Sequence, residues 1–453
     1  MNDRKTWVER TLSVITDVRP GEGVSALLLA TNGFFLLAFY YILKVIRDAL
    51  ILSESGAVAA SYSSAGQALL LLAFVPAYSA LASRVNRLRL ICGVTLFFAS
   101  NLVAFYLVGV SGIRIGIPFY LWVGVFNMTA VAQFWAFAND LYSTERGKRL
   151  FPILGLGANV GALVGSAATA LIFGGIGPYP LLLIAAAGLL IPVALTIWVN
   201  TRERATRRDA AAGQAERPLA KANGFKLVFS QRYLFLMAVM VLLLNLVNTL
   251  GGFVQNTLVR QYAVNGAVTD EAGRQGDREL TEQERGAVAA SVGSITGGIL
   301  TWVNLLTMLF QALLVSRIFK AIGVRGALFI LPFIALGGYM AIALLPVLGV
   351  VRIAKILENS TDYSVSNTTR QALFLPLSRE AKYTAKQAID AFFVRFGDFL
   401  QAGVVLLGTT LAFGVRHYAL LNIAFVVVWL FVARAIAKEH KKLVPVDAEE
   451  RAA

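Results

Sequence analysis

Apolar residues run through this chain in blocks of about twenty, separated by polar breaks. Twelve such blocks cover residues 24–51, 60–82, 89–110, 116–138, 151–174, 178–199, 233–258, 288–316, 324–345, 347–375, 385–412 and 417–436. A helix of roughly twenty apolar residues crosses a hydrocarbon core about 30 Å thick. The pattern therefore predicts an all-α polytopic membrane protein with twelve transmembrane helices. Two blocks are interrupted from within: YYILKVIRDALIL at 40–52 and VRIAKILENSTDYSVSNTTRQALF at 351–374 carry charge inside hydrophobic spans. An Arg, Lys or Asp at the centre of a membrane helix costs roughly 2.5–3.5 kcal/mol on insertion scales, so such residues usually mark the path of a polar solute.

The long polar segment at 201–226, TRERATRRDAAAGQAERPLAKANGFK, divides the spans six and six. The expected organisation is an N-terminal segment 1–23, a six-helix half 24–200, a link 201–232, a second six-helix half 233–437 and a tail 438–453. Two halves joined this way make a major-facilitator-like plan. Basic residues set the orientation. Arg4, Lys5, Arg10 and Arg19 precede the first span; Arg84, Arg87 and Arg89 follow the second; Arg146, Lys148 and Arg149 follow the fourth. Arg202, Arg204, Arg207, Arg208 and Lys221 fill the link, and Arg379 and Lys382, then Lys438, Lys441 and Lys442, follow later spans. By the positive-inside rule both termini and the link are cytoplasmic. Residues 265–286 form a mixed-charge excursion on the other side. Residues 1–23 hold no apolar core, so no cleavable signal peptide is expected; Trp7, Leu12, Val14 and Ile15 are expected to lie flat on the membrane surface.

Composition agrees: 57% of the 453 residues are hydrophobic and 15% charged, with a mean hydropathy of +0.68, far from a soluble domain. The net charge of +15 sits on the cytoplasmic loops, as membrane orientation requires, so the bilayer is the expected partner and nucleic acid is not. One cysteine, Cys92, and two histidines, His417 and His440, give neither an internal disulfide nor a Cys/His metal cluster, and no cofactor is expected. No GxxxxGK[ST] stretch occurs, and Gly155, Gly157 and Gly161 lack dinucleotide-loop spacing, which argues against an ATP-driven pump. Gly157, Gly161 and Gly165 recur every four residues and read as a close helix contact. Ser143-Thr144-Glu145 and Ser378-Arg379-Glu380 stand at equivalent places in the two halves; duplication and local helix capping both account for them.

The charged spans have a periodicity of their own. Arg352, Lys355, Glu358, Asn359, Asp362, Ser366, Thr369 and Arg370 recur at three and four residues and share one face of the tenth helix. That face must look into the bundle, where Lys355 neutralises Glu358 or Asp362; a gating network and direct substrate contact both fit it. The first span offers Tyr40, Tyr41, Lys44, Arg47 and Asp48, with Lys44 and Asp48 spaced to pair. In the eleventh, Lys386, Asp390, Gly397, Asp398 and Gln401 share a face while Arg395 points elsewhere. The seventh adds Asn245, Asn248, Gln255 and Asn256. Tyr40, Tyr41, Phe134, Trp135, Phe137 and Tyr363 lie near these positions, and flat rings beside Lys and Arg suit a base-bearing anion.

Three stretches, 40–52, FWAFANDLYSTERGKRLFPILGLGANVGALVGS at 134–166 and TTRQALFLPLSREAKYTAKQAIDAFFVRFGD at 368–398, resemble the nucleotide transporter family, the ATP/ADP translocases of plastids and obligate intracellular bacteria. The resemblance implies a carrier, not an enzyme, exchanging ATP for ADP through a major-facilitator-like fold in a membrane, here the bacterial inner membrane. Carried over by motif, Arg47-Asp48 stands where the family commonly has lysine before the acid, Asp140 follows FAN, and Lys386 is the lysine of the KYxxKxxID stretch. Asn248 replaces an acid, Thr369-Arg370-Gln371 replaces TKE, and Asp398 replaces a basic residue. The expected substrate contacts are Lys44, Arg47, Arg370, Lys386, Tyr41, Tyr363 and Asn248. Asp48, Asp140, Lys355, Glu358, Asp362 and Asp390 are the expected gating and charge-pairing residues. Two other readings remain open: a carrier of another organic anion or a proton-coupled solute, and a membrane assembly or lipid-handling protein. Oligomeric state is undetermined, with a monomer sufficient.

Overall fold

A computed structural model describes residues 6–13, 16–82, 84–142, 144–207, 224–275, 278–377 and 385–444. The described residues form helices joined by short turns. A short α1 (Trp7–Leu12) leads into α2 (Gly23–Glu54), α3 (Gly56–Ala82), α4 (Arg87–Val110), α5 (Gly116–Leu141), α6 (Thr144–Ile176), α7 (Pro178–Gly188) and α8 (Leu190–Arg207). After the link come α9 (Gly224–Ser230), α10 (Arg232–Ala267), α11 (Glu271–Gln275), α12 (Glu282–Leu313), α13 (Val315–Ala327) and α14 (Ile330–Leu344). The chain closes with α15 (Leu348–Thr361), α16 (Asn367–Leu373), α17 (Lys386–Ala388), α18 (Val394–Thr410) and α19 (Val415–Leu443). Wider π-helical turns at Asp362–Ser366 and Ile389–Phe393 join α15 to α16 and α17 to α18.

Ten of these stretches are long and apolar enough to cross a membrane, and a bent pair adds an eleventh. That pair is α13 and α14, which meet at 78°, with Gly323 at φ +65° inside α13. The expected ninth span 324–345 is thus shorter and broken. The sixth runs on through Leu189, whose N–H donates to the Ala185 carbonyl, so Pro178–Glu203 across α7 and α8 makes one stretch of 26 residues. Leu348–Leu373, the expected tenth span, is helical throughout but too polar to count as a span by hydropathy, because its length is spent on Arg352, Lys355, Glu358, Asp362 and Arg370.

The chain gathers into two compact units. The first holds residues 1–55, 69–216 and 263–301, the second 56–68, 217–262 and 302–453. In the first, α2 is central and packs along α6 most extensively. The reason is the four-residue glycine repeat. A Cβ on Gly157, Gly161 or Gly165 would run into the backbone carbonyls of Ala30, Phe34 and Ala38, so the two helices meet backbone to backbone. In the second unit α14 packs against α15 and α19, and the start of α3 joins it through Ser61, which donates to Gln401 Oε1 at 2.9 Å.

The N-terminal segment docks on the protein. Thr6 and Glu9 form a capping box on α1, and Glu9, 2% exposed, accepts the Gly21 N–H at 2.6 Å. Leu12, expected on the membrane surface, is buried at 9%, whereas Trp7 is 79% exposed; Val14 and Ile15 lie outside the described residues. Arg149 grips both oxygens of Glu22 at 2.9 Å, and Arg146 reaches Glu22 and Glu203 at 3.2 and 3.6 Å. Burial works against ionisation of Glu22, yet its hydrogen bonds from Arg149 and the Arg19 N–H hold the carboxyl below the usual glutamate range. In the 265–286 excursion Arg278 bridges Asp270 and Glu284 at 2.6 and 2.7 Å. Arg4, Lys5, Arg208, Lys221 and Lys382, and both halves of the Ser143/Ser378 echo apart from the Thr144-Glu145 helix start, lie outside the described residues.

Candidate functional site

The candidate residues gather in three places. In the first unit, the end of α2 presents Tyr40, Tyr41, Lys44, Arg47 and Asp48. Arg47 donates from Nε to Asp48 Oδ1 at 2.8 Å, with its Nη2 2.7 Å from the same oxygen; the two side chains are 17% and 13% exposed. The guanidinium also lies 4.6 Å from the Tyr120 ring centroid. Lys44, expected to pair with Asp48, instead leans over the Tyr41 ring at 5.3 Å, leaving Asp48 to Arg47. Cations over aromatic faces are stabilised by the ring quadrupole without being consumed by a carboxylate. Tyr120 was missed by sequence reading, since nothing in a single apolar span marks which tyrosine faces a charge three spans away. Asp140, at the end of α5, pairs with Arg87 at the start of α4, both well exposed. Phe134 and Phe137 line a different small void, with Asn32, Gln133 and Thr196.

In the second unit, Lys355 is 2% exposed and fully engaged. Its ammonium donates to Asn248 Oδ1 at 2.8 Å and to the Asn248 carbonyl at 3.2 Å, and lies 3.0 Å from Glu358 Oε1. Three acceptors meet three N–H donors. The Tyr339 hydroxyl completes the cluster, 2.9 Å from Glu358 Oε2 and 3.2 Å from the Val247 carbonyl. Gly251 leaves room for both the Tyr339 hydroxyl and Lys355 Nζ, which a Cβ would crowd. The expected partnership of Lys355 with an acid on its own helix is thus made with Glu358, and Asn248 serves as its ligand. Tyr339 is a second residue that sequence reading missed; its signal is a lone polar tip in α14, a helix otherwise without polar side chains.

The third place is open. Arg370, Gln371, Lys386, Asp390 and Asn367 line a cavity of about 210 Å³, walled by Met237, Met240, Val241, Phe374 and Val394. Lys386 Nζ is held by Gln371 Oε1 and lies 5.6 Å from the Phe374 ring centroid. Arg370 Nη2 is 3.6 Å from Asp362 Oδ1, which is behind it and does not line the cavity. Two cations, one aromatic ring and flexible methionines around such a void can hold an oxyanion beside a flat group. Tyr363 is 39% exposed and, like Asn248, is absent from the cavity wall. Arg395, expected to point elsewhere, turns onto Asp398 at 3.2 Å, where Asn245 Nδ2 also donates at 2.9 Å. The π turn at Ile389–Phe393 precedes both residues and shifts the face that α18 presents.

Long apolar helices in two units, with ion pairs buried among them, define a polytopic membrane protein of the major-facilitator-like class. Solved transporters share the fold: the nucleoside transporter NupG superposes with a TM-score of 0.63 at 13% identity, covering 91% of this chain and 98% of that one. A bacterial homologue of the iron transporter ferroportin gives 0.60 at 12% identity, covering 91% and 98%. The chain belongs to the TLC ATP/ADP transporter family, whose pattern matches residues 179–440. It is 25% identical over 361 residues to ADP,ATP carrier protein 1 of Chlamydia muridarum, covering 71% of this chain and 66% of the relative. With ADP,ATP carrier protein 1 of Rickettsia conorii it shares 23% over 342 residues, 69% of this chain and 66% of the relative. The chain therefore spans slightly less than two thirds of the length of these relatives.

Proposed function

We propose that this protein is a secondary carrier that exchanges nucleotides, ATP against ADP, across a membrane by alternating access. The observation that carries the reading is the cavity of about 210 Å³ in which Arg370 and Lys386 stand beside Phe374. Membership of the TLC ATP/ADP transporter family supports it. Arginine holds phosphate oxygens as a fork and lysine as a point charge; Arg370 and Lys386 take this role in one unit, Lys44 and Arg47 in the other, with Tyr41 against the base. Asp48, Asp362 and Asp390 neutralise these cations in the empty carrier, while Lys355, Glu358 and Asn248 brace the helices that carry them. Asp140 serves the end of α5 through Arg87, and Tyr363 contacts substrate only on rearrangement. The two six-helix halves, 24–200 and 233–437, rock about the link, both termini lie in the cytoplasm, and the membrane is the bacterial inner one. Exchange of ATP for ADP moves about one net charge, worth roughly 2.3 kcal/mol per 100 mV, so voltage biases its direction.

A second reading, exchange of a different phosphorylated anion, draws on the neutral Asn248 and Gln371 at positions where the resemblance expects acids. Uptake of labelled ATP and ADP into proteoliposomes, with and without unlabelled nucleotide inside, tests both. Uptake that depends on internal nucleotide supports the exchanger. Folded, reconstituted protein that moves no nucleotide overturns it and leaves the other anion.

A further inference from the structure

The ion pair behind the cavity is poorly made. Arg370 Nη2 and Asp362 Oδ1 are 3.6 Å apart, beyond a good hydrogen bond, although Asp362 is 6% exposed. Asp362 Oδ1 and Arg370 Nε are both buried and make no hydrogen bond among the described residues; neither do Asn359 Oδ1 and Thr361 Oγ1 on the preceding turn. Buried polar atoms are ordinarily paired, so four in this state on one stretch single it out. The backbone agrees: the helix widens into a π turn that begins at Asp362, a feature that gathers at functional sites. Lys355, seven residues earlier on the same helical run, has every N–H used. Arg370 thus stands between a carboxylate that holds it loosely and a cavity it lines together with Lys386.

We propose that Asp362 is a proton-binding site coupled to occupancy of this cavity: when a bound oxyanion draws the Arg370 guanidinium forward, the carboxylate left behind takes up one proton. The inference rests on the nucleotide reading above. A buried carboxylate stripped of its salt-bridge partner is strongly disfavoured, and neutralisation relieves it. Other groups around it offer no substitute. Lys355 acts on Asp362 only through space, its N–H groups being committed to Glu358 and Asn248, and Ser366 supplies a hydroxyl hydrogen bond but no charge. Of the helices packed against the π turn, α14 carries Tyr339, already committed to Glu358. The other, α13, packs Val315 and Ala327 against Val365, while its Arg317 and Lys320 are exposed and its Arg325 half-buried. Lys386 and Asp390 line the cavity, whose wall does not include Asp362. The proton comes from the medium with the substrate and leaves when the substrate leaves and Arg370 returns. One-for-one exchange then moves protons equally in both directions, so binding is pH-linked while exchange is not proton-driven.

Titration calorimetry of ADP into the detergent-solubilised full chain at pH 7.5, in two buffers of different ionisation enthalpy, counts the protons. A terminal phosphate with its second pKa near about 6 is almost fully ionised there and contributes little. The wild type is expected to take up about one proton per ADP, with affinity falling about tenfold from pH 7.5 to 8.5 by linkage. Asp362→Asn is expected to bind ADP with no such uptake. Binding by the wild type without proton uptake, or uptake retained in Asp362→Asn, overturns the inference and leaves the nucleotide reading intact. Absence of binding by both ADP and ATP to folded protein overturns that reading, and this inference with it. Should the variant not fold, the wild-type proton count and pH slope decide alone.

Discussion

Lys355 and Glu358 hold each other one helical turn apart, Nζ to Oε1 3.0 Å, with side chains 2% and 7% exposed. Asn248 and Tyr339 supply the remaining hydrogen bonds, so the pair ties α15 to α10 and α14. Breaking a buried pair by removing one partner costs about 3–5 kcal/mol, because the other charge is stranded. Lys355→Met is therefore expected to lower the apparent melting temperature in detergent sharply. Lys355→Met combined with Glu358→Gln, which removes the stranded charge and keeps a partner for Tyr339, is expected to recover much of the loss. A single variant as stable as the wild type would show that the pair braces nothing.

Gly161 is expected to be the most sensitive glycine on α6. A Cβ there would overlap the Phe34 backbone carbonyl, and backbone cannot swing aside as a side chain can, whereas Gly155 has nothing within 4 Å of its Cβ position. Gly161→Ala should cost about 1–3 kcal/mol, as overpacking does. Gly155→Ala should be neutral or stabilising by up to about 1 kcal/mol, since alanine is the better helix former. The half-buried Cys92 offers a readout: its labelling by a thiol reagent during heating should begin at a lower temperature in Gly161→Ala alone.

The glycine contact was readable because a four-residue repeat of the smallest side chain has few other uses in a membrane helix. The charged face of the expected tenth span was readable for a similar reason: Lys355, Glu358 and Asp362 had nowhere apolar to go, and all three are buried. The choice among partners was not readable. Lys44 and Asp48 have the spacing of a helical pair, yet Asp48 goes to its neighbour Arg47 because the guanidinium is long enough to fold back and Tyr120 steadies it. Arg395 and Asp398 meet three residues apart inside α18, an ordinary helical spacing, whereas a face counted onward from Lys386 and Asp390 has to cross the π turn at Ile389–Phe393, where 3.6 residues per turn does not hold. The 78° bend between α13 and α14 is invisible in hydropathy, which records how apolar a stretch is and not whether it is straight. Tyr339 acts on Glu358, 19 positions away, so its lone hydroxyl in α14 marks a polar contact without naming the partner, and Phe374, one apolar ring among many, carries no local signal at all.

Glu22 gives the start of α2 a pH dependence. Its carboxyl is held below the usual glutamate range in the folded protein, with burial outweighed by Arg149 and the Arg19 N–H. A depressed folded value means stability that is fully present above the ordinary glutamate value of about 4.3 and lost as pH falls through the lower folded value. Thermal stability of the wild type should therefore be flat across neutral pH and decline below about pH 4.3. Glu22→Gln should be less stable at pH 7 and show a shallower acid decline, measured on the same detergent preparation. An acid decline of equal depth in the two proteins would assign the dependence elsewhere.

Lys386 separates the open site from the braced one. Its hydrogen-bond partner is a neutral amide, Gln371, beside the Phe374 ring, and Asp390, which it attracts through space, is exposed to solvent, so Lys386→Ala breaks no buried ion pair and should leave thermal stability close to that of the wild type, unlike Lys355→Met. If the cavity holds a phosphate oxygen, the variant loses a charge-assisted hydrogen bond worth about 1.5–3 kcal/mol, which is about a ten- to hundredfold rise in the half-saturating nucleotide concentration. Gln371→Ala, which removes only the amide that positions Lys386, should weaken uptake less. Counterflow assays in proteoliposomes over a range of external ADP, run on both variants and the wild type, give the three half-saturation values directly. Unchanged half-saturation in Lys386→Ala would place the phosphate outside this cavity, however active the protein.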